Sequence, residues 1–246
     1  MPVSFNSIPQ NWRMPLYWVE VDPSMAGYPR SRLISLIIGA KSSDGEAVAN
    51  VPMAIASQAD ARKFFGYGSM LDQMVDSFMK NNYAQELWVL PVDEAAAGVV
   101  ATGDMTVVQA PISAGTLPVY ISGRRVQVFV AAGEDIEDTA QHVCDAINAD
   151  PSMPVIATVA AAVITLTAKW KGVEGNEIDV RLAYGGLLAA EQVPIGLTIT
   201  LPPGHRLTGG TGTVDLAPGI ANLGDEIYEY VASGFTDSTS LALLEA

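Results

Sequence analysis

The run LISLII at 33–38 is almost wholly apolar and too short for a buried helix, which makes it a strand covered on both faces. A second run, ELWVLPV at 86–92, returns as a strand about fifty residues later. Two helices are written between them. Ser57 with Asp60 three residues on resembles a capping box, with Asp in place of Glu or Gln, and opens a helix over 58–65 that Gly66 can end. Ser69 caps the next, where Met70, Leu71, Met74, Val75, Phe78 and Met79 make one apolar stripe. Such a stripe reads as core, while its methionines leave an adaptable groove as the other reading. Strand, helices, strand predicts a βαβ crossover and a parallel sheet.

After Asp93 the pattern changes. Residues 95–104, AAAGVVATGD, read as a linker or boundary. From Met105 to Leu201 the chain is strand-like, with a hairpin signal at Ser122-Gly123 between 119–121 and 124–131. Strands are also predicted at 155–160, 163–168, 178–184 and 195–201. A single helix interrupts, lined by Ile136, Ala140, Val143 and Ile147 and stopped by Asp150-Pro151. Beyond 207–215 the alternation of helix and strand resumes: a short helix at 216–223, a strand at 227–232, and an amphipathic helix from Ser238 on Leu241 and Leu244. The expected organisation is an extended arm at 1–31, a first α/β core part at 32–94, an inserted β-rich domain at 95–206, and the core resuming over 207–246.

The arm rests on five prolines, Pro2, Pro9, Pro15, Pro23 and Pro29, which forbid a long helix. Phe5, Ile8, Trp12, Leu16, Tyr17 and Trp18 sit among them, and a disordered linker lacks such aromatics. Two readings stand: docking on another molecule, or packing on its own domain. Residues 207–246 hold six acids and no Lys or Arg, so they form either a solvated face or the complement of a basic arm.

Little chemistry is written here. Thirteen Lys and Arg against 27 Asp and Glu leave a net charge of −14, which argues against nucleic acid as main partner. No apolar stretch suits a membrane span, and the first residues lack a secretory leader's pattern. A lone Cys144 excludes an internal disulfide, and His142 and His205 have no second ligand at metal spacing. Glu134, Asp135, Glu137 and Asp138 crowd a helix start, where they oppose its dipole. Glu174 and Glu177 bracket a turn without the alternating ligands of a calcium loop. Three glycine-rich spots, GYGS (66–69), KGVEGNEI (171–178) and TGGTGT (208–213), lack phosphate-loop spacing and read as backbone punctuation. No catalytic, cofactor or metal site is expected.

Several segments together resemble the tail sheath proteins of contractile-tailed phages, in particular the Mu-like group. SFNSIPQNWRMPLYWVEVDPSMAG (4–27) looks like that group's N-terminal arm, through Phe5, Ile8-Pro9, Arg13, Pro15, Glu20, Asp22, Ser24 and Ala26. RLISLIIGAK (32–41), FGYGSMLDQMVDSFMKNNYAQELWVLPV (65–92), KGVEGNEIDVRLAY (171–184) and the stretch 207–246 follow in the family's order. The resemblance implies a structural protein, present as its N-terminal half, with a partial subtilisin-like α/β core and a protruding β-rich domain carrying one helix. It implies stacked hexameric rings around a tail tube, contraction on a baseplate signal, and a place in the virion. The implied partners are other copies of the chain and the tube, baseplate and tail terminator proteins, with no cofactor, nucleic acid or membrane. Strand addition by terminal arms makes Phe5, Ile8, Trp12, Arg13 and Tyr17 the expected self-assembly residues. Rival readings are the sheath of an R-type bacteriocin or type VI system, a small hydrolase or nucleotide enzyme using TGGTGT, and a carbohydrate-binding module with Tyr120, Trp170 and Tyr184.

Overall fold

The central strand of the first sheet is β1 (Ile34–Ala40), every residue of which is buried. In this computed structural model, which describes residues 33–82 and 85–245, β1 pairs in parallel with β3 (Glu86–Val92), as the crossover predicts. Phe5, Ile8, Trp12, Arg13 and Tyr17 lie outside the described residues. The crossover holds α1 (Gln58–Phe65) and α2 (Met70–Asn81). Ser57 and Ser69 cap them by accepting from the Asp60 and Asp72 backbone N–H groups, which removes unpaired donors from each first turn. A three-residue strand that the sequence does not predict, β2 (Met53–Ile55), runs antiparallel on the far side of β3.

The two faces of this sheet bury different partners. Ile37, Leu87 and Val89 meet Ala61, Phe65, Leu71 and Val75 of the helices. Leu36, Ile38 and Leu90 join a larger core that continues into the middle of the chain. Alternate residues of one strand thus serve two cores, which is why the run shows no polar face.

The middle of the chain forms two antiparallel sheets. One has the order β10-β4-β8-β7, from β4 (Val100–Gln109), β7 (Val155–Ala160), β8 (Val163–Lys171) and β10 (Thr198–Thr200). The other, β6-β5-β9, holds β5 (Gly115–Ile121), β6 (Arg124–Val130) and β9 (Val180–Leu182). The expected hairpin turn lies between β5 and β6, with Ser122 and Gly123 both at positive φ. The single helix, α3 (Ile136–Asn148), buries Ala140, Val143 and Ile147 against this core.

The linker expected at 95–104 is a correction: from Val100 on it is strand. Its small residues reflect close neighbours, since Ala101 is fully buried and a Cβ on Gly175 would lie 3.0 Å from the Ala101 methyl group. Gly103 is roofed in the same way by Pro202. Val99 and Thr102 bridge antiparallel to Thr211 and Thr208, so the chain leaves and re-enters the first sheet along one two-stranded stem.

The return adds α4 (Ala217–Ala221), β11 (Tyr230–Ser233) and α5 (Ser238–Leu244). β11 pairs in parallel with β1 opposite β3, giving the sheet order β11-β1-β3-β2. It is shorter than the expected 227–232 strand and starts later, because Glu229 spends its backbone N–H on Ile34 O and its carboxylate on Ile34 N–H, 2.6 Å away.

Candidate assembly surface

With no catalytic constellation written in the sequence, the surfaces that meet other molecules are the features to build. One is the outer edge of β11. Tyr230 and Val231 there are 59% and 55% exposed, with Ile227 and Leu241 exposed nearby in sequence. The outer backbone groups of β11 have no strand neighbour among the described residues, and an edge of this kind is a template for a further strand.

A second surface lies on the β6-β5-β9 sheet. The Glu191 carboxylate is buried and accepts from the Tyr120 hydroxyl at 2.5 Å, Arg125 Nη1 at 3.0 Å and the Gly185 backbone N–H at 2.8 Å. The Tyr120 bond, joined by Arg125, holds its carboxyl below the usual range. These bonds fasten the 185–191 loop and leave Leu187 and Leu188 in solvent, Leu188 fully so. Both leucines are thus held outward on a loop fastened by a buried anchor. Tyr120 and Tyr184, offered by one rival reading as a sugar platform, instead pack edge to face at 5.9 Å, with Arg181 over the Tyr184 ring.

The third feature joins α2 to the middle of the chain. Arg124 donates to Gln73 Oε1 at 2.6 Å, Ser152 Oγ at 2.9 Å and Asp76 Oδ2 at 2.7 Å. Gln73 in turn donates to Ser152 O. Beneath them Asp72 is fully buried, accepting from the Gly68 N–H at 2.8 Å and from Gln58, with Arg62 3.6 Å away. Burial pushes the Asp72 carboxyl above its usual range, against the Gly68 bond and the Arg62 charge.

Two of the glycine-rich turns, 171–178 and 208–213, do not form a phosphate cradle; they lock together. Asn176 exchanges two hydrogen bonds with Gly210, accepting from its N–H at 2.8 Å and donating to its carbonyl at 2.9 Å. The Thr208 and Thr211 N–H groups are spent on Thr102 and Val99 carbonyls, so TGGTGT has no row of free donors for an anion. KGVEGNEI, expected as a plain turn, contains a short 3-10 helix at Val173–Glu177. Of its two acids, Glu177 pairs with Arg206 and Glu174 is buried. His142 pairs with Glu134 at 2.9 Å at the surface. Among the described residues no three His, Cys, Asp or Glu side chains gather as a metal site, and no helix is long and apolar enough to cross a membrane.

No family model matches the chain. A curated relative does, and along its whole length the chain is similar to it, a phage tail sheath protein. That relative is the Mu-like prophage FluMu tail sheath protein of Haemophilus influenzae, 38% identical over 248 aligned residues that take in 100% of this chain and 50% of the relative. The chain therefore spans about half the length of the curated relative it matches. The resemblance to Mu-like tail sheath proteins, carried in the sequence by motifs in the family's order, is shown along the whole chain. Among solved structures, the sheath tail protein of Listeria innocua aligns at 13% identity and TM-score 0.31, over 87% of this chain and 42% of that one. A superposition that loose carries no detail of the fold.

Proposed function

We propose that the chain is the N-terminal half of a contractile phage tail sheath subunit, which assembles as stacked hexameric rings around a tail tube and contracts to drive the tube through the host envelope. The observation that carries this reading is the 38% identity to a Mu-like tail sheath protein across the whole chain. In this reading the four-stranded sheet with its helices is part of a subtilisin-like core, residues 95–206 protrude as the inserted domain, and the protein resides in the virion tail. It touches other copies of itself, the tube protein, and baseplate and terminator proteins, and performs no catalysis.

Residues 1–31 act as an arm that extends a sheet of a neighbouring copy, with Phe5, Ile8, Trp12, Arg13 and Tyr17 as its anchors. Buried aromatic anchors contribute about 2 kcal/mol or more each at such contacts. The test is electron microscopy of the complete protein with and without residues 1–28. Tubes from the intact protein and none from the deletion, with unchanged circular dichroism, are expected. Normal tubes from the deletion overturn the role of the arm, and an intact protein that never forms rings or tubes overturns the assembly reading.

A further inference from the structure

β7 lies at the end of the β10-β4-β8-β7 sheet, with no strand beyond it among the described residues. Its outer edge is answered by a side chain instead. In the antiparallel pair with β8, every second residue of β7 turns its backbone groups to the partner, and Ala157 belongs to the other set. The Ala157 N–H donates to Asn148 Oδ1 at 3.0 Å, and its carbonyl accepts from Asn148 Nδ2 at 2.8 Å. A donor and an acceptor from one residue are what a further strand offers at such a position. Cys144, one helical turn earlier, adds a weaker contact from its Sγ to the same carbonyl at 3.4 Å. Asn148 is the last residue of α3, and the six residues 149–154 return the chain so that β7 starts beside that helix end.

The composition of the edge explains why it needs closing. Residues 151–168, which make up β7 and most of β8, hold no Asp, Glu, Lys or Arg. VIATVA also lacks Pro and Gly, and Ile156 stands half exposed on it. Sheet edges are commonly blunted by charge, proline or a bulge, and an uncharged run rich in β-branched residues is prone to pair with its like. A net charge of −14 keeps two copies apart over most of their surfaces, but this strand carries none of it. Asn is also a weaker helix former than Ala, so α3 gains nothing from it locally.

We propose that Asn148 is an autoinhibitory guard: its amide fills the strand-docking position at Ala157 and keeps β7 of a second copy from adding to the sheet. The pairing it prevents is antiparallel and twofold, centred on Ala157. Val155 and Val159 share the outward direction on either side, so the same edge can meet itself. Asn148 is itself exposed, so shortening it opens Ala157 to solvent. The inference concerns an edge held shut, and stands whether or not the chain forms rings.

The test is analytical ultracentrifugation of the purified chain and three variants at neutral pH. Asn148→Ala should dimerise at least about tenfold more tightly than the wild type. Asn148→Asp loses the donor but sets a charge on the edge, and should associate no more than the wild type does. Ile156→Lys, placed in the Asn148→Ala chain, should abolish the added association. A purely structural Asn148 would make the Ala and Asp variants behave alike. Unchanged association in Asn148→Ala, equal association in Asn148→Asp, or a dimer that survives Ile156→Lys overturns the proposal. Should Asn148→Ala not fold, amide exchange in the wild type decides. Ala157 should then exchange about tenfold more slowly than Val155 and Val159, and equal rates overturn the guard.

Discussion

Gly68 and Met153 approach so closely that a Cβ on the glycine would lie 2.3 Å from the Met153 carbonyl oxygen. The glycine also holds φ at +72°, a conformation that costs any other L residue. Its backbone N–H feeds the buried Asp72 carboxylate, so the same residue ties the start of α2 to the middle of the chain. Gly68→Ala combines backbone strain with a clash that only a backbone shift can relieve. Chemical denaturation should show a loss of about 3 kcal/mol, and a loss below about 1 kcal/mol would mean that the contact yields freely.

Arg124 reaches three acceptors on two parts of the fold, and its geometry cannot be copied by an ammonium. Arg124→Ala should cost about 2 kcal/mol, because Asp76 and Gln73 lose a charged donor in a largely buried place. Arg124→Lys should restore less than half of this. Full rescue by lysine in the same unfolding assay would reduce the clamp to simple charge.

Glu174 supplies a pH signature with a definite sign. Its carboxyl is raised in the folded chain by burial and Asp237, so the folded state binds its proton more tightly than the unfolded state does. Stability from this group is fully present below the ordinary glutamate range and falls as pH rises from there through the raised folded value. Glu174→Gln removes the slope, so the variant should exceed the wild type in stability at pH 8, with the gap closing towards pH 4. Thermal melts across that range decide it, and a gap that widens on acidification contradicts it.

Asn176 bridges the two glycine-rich turns by a pair of hydrogen bonds to one residue, Gly210. Asn176→Ala leaves the Gly210 N–H and carbonyl without these partners, and should cost about 2 kcal/mol. Faster amide exchange at Gly210, without global unfolding, would accompany it.

Where signals are local, the sequence sufficed. Ser57 and Ser69 cap the helices that follow them, the Ser122-Gly123 hairpin turns where its residues demand, and the apolar run at 33–38 sits at the centre of its sheet. What escaped was set by contacts distant in sequence. Ala101 and Gly103 read as linker because the residues that crowd them, Gly175 and Pro202, lie more than seventy positions away. The bond between the 171–178 and 208–213 turns, and the burial of Glu174, have no local signature either. β2, three residues long, carries too little pattern to stand out from loop.

The order of strands in the first sheet also sets a clock. β1 gains β3 soon after it is made, but its other flank waits for β11, and the bond from Ile34 N–H to Glu229 spans 195 residues. At ribosomal rates of about 5–20 residues per second, that flank stays open for on the order of 10 s after β3 is complete. A strand buried on both faces, with one side temporarily unclaimed, is a target for whichever β segment arrives first. Synthesis itself then becomes a contest between finishing one molecule and joining two.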